Sequence, residues 1–220
     1  VKGLCSTFPA WSWTPSRGCL NRSDSGPTAA WPEPRLFKQP YAGVQTPAGT
    51  GEPGETPGAA ASREVAEETG LQMSEAGRPL AVAEDRLPEG TFAVANATRV
   101  YARPDTSSFD RASLPRGAIV ALQREAGAFR QVLWEEWDRW PDPQYRSMAI
   151  LGWVPASTLT GRQRRHFYLF EFRGETPERW AVEADNHRFA VFWAPLAAPP
   201  SIIPPQDAWL AFLPGAPHLP

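Results

Sequence analysis

"GTGEPGETPGAAASREVAEETGL", residues 49–71, decides how this chain is read. Its second half carries helix punctuation. Thr56 can accept from the free N–H groups of a first turn, Pro57 suits the first helical position, where no N–H is needed, and Gly70 supplies a left-handed stop. Between those marks Ala61 and Val65 stand one turn apart and face the core, while Glu64, Glu67 and Glu68 occupy a neighbouring stripe. Like charges three and four residues apart repel by roughly 0.2–0.5 kcal/mol per pair. A cation beside the stripe would turn that repulsion into attraction, so the stripe is expected to line an open cleft.

Hard divalent cations such as Mg2+ and Mn2+ take carboxylate oxygens, and a helix presenting Glu at i, i+3 and i+4 delivers several of them to one point. Gly49, Glu55, Arg63, Glu64, Val65, Glu67, Glu68, Gly70 and Leu71 also fill the pattern G-x5-E-x7-R-E-U-x-E-E-x-G-U, with U an aliphatic residue. Average residue frequencies give that match a chance occurrence on the order of 10⁻⁷. The stretch resembles the Nudix box. The resemblance implies a Nudix α/β/α sandwich with a mixed sheet, and hydrolysis of a small nucleotide in which a nucleoside diphosphate is linked to another group. It further implies that Glu64, Glu67 and Glu68 ligate Mg2+ or Mn2+, that Glu55 supports the metal site, and that Ala48 and Gly49 add backbone groups from the preceding loop. Arg63 would brace the helix by pairing with a glutamate, and Glu67 or Glu68 would act as base. Where members of this family recruit an acid from outside the box, the candidates here are Glu183 and Asp185.

Upstream, "LFKQPYAGVQTPAGT" (residues 36–50) reads as an extended segment entering a Pro/Gly turn. Residues 1–35 show neither apolar period and are dense in Pro, Ser and Gly, which predicts an irregular leader. Cys5 and Cys19 lie there with no His or Cys at ligand spacing, and are read as free thiols. A Nudix fold expects a β-rich strand pair before the box. Without it a sheet edge is left open, which favours the alternative of a catalytically impaired Nudix-fold protein that binds or regulates.

Downstream, "TRVYA", "AIVALQ", "FRQVLWEEW" and "AILGWVP" alternate with the turn clusters "RPDTSS", "LPRG" and "EAG", the pattern of a small all-β barrel. With its "LPRG" turn and closing Gly152-Trp153-Val154, the stretch resembles a bacterial Src-homology-3-like (SH3-like) domain. The expected division is therefore a leader at 1–35, a first Nudix part at 36–94, an SH3-like insert at 95–161 and a second Nudix part at 162–220. Trp134, Trp137, Trp140, Tyr145 and Trp153 are candidates for an aromatic groove that takes a peptide or protein ligand, or else for the core and rim of the barrel. "HFYLFEF", "ERWAVEA" and "RFAVFWAPL" supply later strands, and "DAWLAFL" a short C-terminal helix. Phe37, Tyr41, Phe167, Tyr168 and Trp180 are the candidates to stack on a nucleotide base. His166, His187 and His218 share no spacing that suggests a metal or a triad, and Ser62 has no nucleophile-elbow context.

The chain has 220 residues, 42% of them hydrophobic, and a formal net charge of −2, enough for a real core and without a basic footprint for a nucleic-acid polymer. No run of about 18 apolar residues spans a bilayer, and the text opens without a secretory pattern, so a cytoplasmic protein is expected. Oligomeric state is not assigned by any of these features.

Overall fold

The computed structural model describes residues 35–39, 43–73, 76–139, 142–170, 172, 175–184, 187–195 and 198–213. Most of the leader with Cys5 and Cys19, and also Tyr41, Trp140, Asp185 and His218, lie outside the described residues, as do the side chains of Phe37 and His187. In chain order the strands and helix are β1 (Arg35–Gln39), β2 (Gly43–Gln45), α1 (Pro57–Thr69), β3 (Arg78–Arg86), β4 (Thr91–Val94), β5 (Thr98–Tyr101) and β6 (Asp110–Leu114). They continue with β7 (Ile119–Ala126), β8 (Phe129–Trp137), β9 (Arg146–Pro155), β10 (Leu159–Thr160), β11 (Arg162–Leu169), β12 (Arg179–Ala184) and β13 (His187–Trp193). Two 3-10 helices, Ala156–Thr158 and Gln206–Phe212, complete the described elements. The fold is sheet-rich, with α1 as the one α-helix among the described residues, and no helix among them is long and apolar enough to cross a membrane.

The chain divides into two compact units, with breaks between residues 82 and 83 and between residues 165 and 166. The unit that holds the box contains a four-stranded sheet in the order β12-β13-β1-β2. Its ladders are antiparallel, and a parallel bridge between Val44 and Ile202 extends the β2 side. The helix punctuation read from the sequence is realised atom by atom. Thr56 Oγ1 accepts from the Ala59 N–H at 3.2 Å, and Gly70, at φ 70°, donates its N–H to the Ala66 carbonyl. Ala60, Ala61 and Val65 are fully buried against Phe170, so the apolar stripe of α1 faces the core, and the glutamates run beside it, with Glu64 itself buried. At the helix end, the indole N–H of Trp180 donates to the Thr69 carbonyl at 2.8 Å, satisfying an acceptor that has no intrahelical donor. A second core of Leu169, Ala194, Ile202, Leu210 and Leu213 packs with Val44, Leu80 and Phe192. The segment "DAWLAFL" is a 3-10 helix beginning at Gln206.

The other unit holds a seven-stranded sheet in the order β10-β4-β7-β8-β9-β5-β6, with a core of Val94, Val100, Leu114, Ala118, Val120, Val132 and Val154. It starts at residue 83 and so includes β4, which pairs with β7 and β10, together with the stretch 95–161. At Gly152 an added Cβ would come within 2.4 Å of Val100 and 2.9 Å of the Tyr101 carbonyl; only glycine lets β9 lie this close to β5. Among the described aromatic candidates of this unit, Trp134 and Trp153 do not share one face of the sheet. Trp134 packs into the core with Ile150, whereas Trp153 pairs with Gln131 and therefore faces away from Val132 and Val154. Trp137 is 41% exposed and Tyr145 72%. The period of two in a strand sends alternate residues to opposite faces, which closeness along the sequence cannot reveal.

Candidate active site

The guanidinium of Arg63 is the centre of the box. Its Nε and Nη2 donate to the two oxygens of Glu55, each at 3.2 Å. Nη1 donates to Glu64 at 2.8 Å and to Glu67 at 3.1 Å, and Nη2 also reaches the Thr50 carbonyl at 3.1 Å. A planar fork of five N–H donors is built for such a set of acceptors. The cation that the acidic stripe calls for is thus supplied in part by the helix itself, because the residue before Glu64 lies one turn ahead of Glu67. Glu55 in turn accepts from the Glu52 N–H at 2.9 Å, which ties the loop before the helix to the same hub.

The approach loop, residues 46–50, meets the helix side chains one after another. The Ala48 N–H donates to Glu68 at 2.8 Å. Gly49 lies under the Glu64 carboxyl so closely that an added Cβ would sit 1.8 Å from its carboxyl carbon. Thr50 offers its carbonyl to Arg63. Glu64 is consequently 9% exposed, while the Glu67 side chain is 54% exposed.

Electrostatics follow from that geometry. The hydrogen bonds from Arg63, opposed by desolvation and helped by the Glu52 N–H, hold the Glu55 carboxyl below its ordinary value, and Glu55 and Glu64 hold Arg63 firmly charged. A carboxylate with a depressed pKa stabilises the fold above its unfolded pKa and loses that contribution as pH falls through the folded value. The Tm difference between wild type and Glu55→Gln is therefore expected to be full at pH 6 and to shrink below about pH 4.5, the group's ordinary value. A difference that stays constant down to pH 3 would show that the pair does not stabilise the fold through its charge.

Glu64 and Glu67 turn to Arg63 and Glu68 turns to Ala48, and no group of three or more His, Cys, Asp or Glu side chains is gathered as a metal centre among the described residues. The donor set nevertheless fits a hard divalent ion. Three carboxylates, Glu55, Glu64 and Glu67, share one guanidinium, and Glu68 lies one residue further along the helix on the Ala48 N–H, which leaves an excess of negative oxygen donors; the Gly49 cradle seats Glu64 against backbone. Glu183 is exposed on β12 opposite Arg188, and Ser62 donates to the Gly58 carbonyl one turn back. Of the base-stacking candidates, Phe167 is 1% exposed, with its ring against Trp209 and Phe212, so it belongs to the core. Tyr168 is half-buried beside Gly58, and Trp180 is committed to the helix end. The residue that reading the sequence passed over is Gln206, buried at 6%, whose carboxamide oxygen accepts from the Thr46 N–H and hydroxyl. Only its polarity in the apolar run "QDAWLAFL" marked it.

Residues 15–110, just under half of the chain, match the family model described as the NUDIX domain, which supports a hydrolase-type function acting on pyrophosphate bonds. No curated protein and no solved structure matches the chain.

Proposed function

We propose that the chain is a Nudix hydrolase, a Mg2+- or Mn2+-dependent pyrophosphohydrolase that cleaves a nucleoside diphosphate linked to another group. The observation that carries this reading is the hub of Arg63, Glu55, Glu64 and Glu67 with Gly49 beneath Glu64, in which five of the nine matched positions meet. A divalent cation held by Glu64, Glu67 and Glu68 would supply Lewis acidity and neutralise phosphate charge. This chain's own groups do the rest. Arg63 fixes the rotamers of Glu64 and Glu67, the Ala48 N–H orients Glu68, and Glu67 or Glu68, both reachable from solvent, takes a proton from the attacking water. Among the described candidates, Tyr168, half-buried beside Gly58, is proposed to flank the base. The sandwich architecture is part of this reading, as is a cytoplasmic location, where nucleotides are found. A panel of nucleoside diphosphate derivatives with Mg2+ or Mn2+ tests it through the phosphate products released; no product from any of them would overturn it.

Divalent metal should also raise Tm, because a ligand that binds only the folded state stabilises it by RT ln(1 + [L]/Kd), roughly 2.7 kcal/mol at one hundred times Kd. Glu64→Gln is expected to blunt that rise. An equal shift in both proteins would place the cation elsewhere.

The unit of residues 83–165 is proposed as an SH3-like module, separable from the chemistry and open to a peptide or protein ligand. The Leu87 N–H donates to the Gly161 carbonyl at 2.9 Å, so its two ends meet in an antiparallel pair. Replacing residues 88–160 with Asn-Gly closes that pair as a two-residue hairpin. Turnover is expected to stay within about tenfold of the intact protein, since loops closed at their base can be shortened at small entropic cost. A folded deletion protein that hydrolyses nothing would make this unit part of the active site.

A further inference from the structure

We infer that Gln206 is a positioning residue for the box, acting from the far end of the chain through the approach loop; this rests on the hydrolase reading. Thr46 and Gln206 are 160 residues apart in sequence, and both are buried, at 4% and 6% exposure. The Gln206 carboxamide oxygen accepts from the Thr46 N–H at 2.6 Å and from the Thr46 hydroxyl at 3.0 Å. Its amide nitrogen lies 3.3 Å from the Gln45 side-chain oxygen and donates to it. The acceptor oxygen is fixed by chemistry, because a backbone N–H can only donate. The same segment docks along β2. Ile202 bridges Val44, the Ile203 N–H donates to the Val44 carbonyl at 3.1 Å, and Gly43, at φ +80°, leaves room that a Cβ would deny to Ile203.

Thr46 is where the strand ends and the loop begins. Past it, Ala48 binds Glu68, Gly49 seats Glu64, and Thr50 binds Arg63. A loop that contacts three site residues in succession transmits any slip at its start to all of them. Its start is held by a buried polar anchor, where an unmade hydrogen bond is costly and a slipped register is therefore disfavoured. Gln206 thus sets where the Ala48 N–H points, and through it the orientation of Glu68, without touching any reacting atom.

Two readouts in the full chain test this. Gln206→Met keeps the length and removes the acceptor. The Ala48 amide should then exchange with solvent at least about fivefold faster in native-state NMR, and Kd for Mn2+, read by electron paramagnetic resonance well below Tm, should rise about tenfold, the usual scale for outer positioning groups. Gln206→Glu still accepts from both Thr46 donors, while Gln45 turns its amide to donate, so both readouts should return to within about twofold of wild type. Thr46→Val loses the hydroxyl donor alone and should fall between; it carries the test if Gln206→Met does not fold. Unchanged Ala48 exchange and unchanged Mn2+ binding, with only a lower Tm, would overturn the inference and leave Gln206 a packing residue. A wild type that binds no Mn2+ would instead overturn the hydrolase reading, and the exchange measurement would still judge the anchor.

Discussion

Gly49→Ala is expected to lower turnover by at least about 10²-fold, the scale on which a displacement of about 1 Å in a catalytic constellation is felt. The added methyl would lie 1.8 Å from the Glu64 carboxyl carbon and 2.0 and 2.2 Å from its oxygens, far inside contact distance, so Glu64 or the loop must move. If Glu64 leaves, its bond to Arg63 goes with it; if the loop moves, Ala48 withdraws from Glu68. Overpacking of this kind also costs about 1–3 kcal/mol of stability, so Tm should drop. Gly161→Ala is the control, because nothing lies within 4 Å of its added Cβ. Turnover of Gly49→Ala within about threefold of wild type would mean that Glu64 need not sit against the loop for catalysis.

Glu67→Gln and Glu68→Gln are each expected to lower turnover by at least about 10²-fold with the fold intact, since an amide supplies neither the negative charge a hard cation needs nor a general base. The sequence alone suggests that removing one charge from a crowded face relieves repulsion, so that Tm stays level or rises in the absence of metal. With Arg63 already between the carboxylates, Glu67→Gln instead gives up an exposed i,i+4 ion pair at 3.1 Å, worth about 0.3–0.5 kcal/mol, so Tm should stay level or fall slightly. Glu68→Gln keeps an oxygen for the Ala48 N–H and should leave Tm unchanged. Both variants turning over within about threefold of wild type would remove this face of the helix from the chemistry.

The local features of the box were legible because they are written within a few residues. Thr56, Pro57 and Gly70 mark the helix ends through backbone rules that need no partner elsewhere, and Ala61 and Val65 face the core because of the helical period. The β-rich character of residues 94–161 was legible for the same reason, as period-two strands between turn clusters. What stayed hidden depends on contacts between distant segments. The facing of Trp134 and Trp153 follows from the register of β8 against β9, and the burial of Phe167 from Trp209 and Phe212.

By itself, then, the sequence determined the helix, its acidic stripe and the residue types suited to a hard cation, since spacing on one helix is fixed by geometry within the element. Only the tertiary structure decided that Arg63 stands among Glu55, Glu64 and Glu67, that Gly49 must lack a side chain because Glu64 lies upon it, and that Gln206 holds the loop from the other end of the chain. The physical reason is that rotamer choice, close approach and buried hydrogen bonding are settled by which surfaces the folded chain presses together, and no spacing rule along the sequence encodes that meeting.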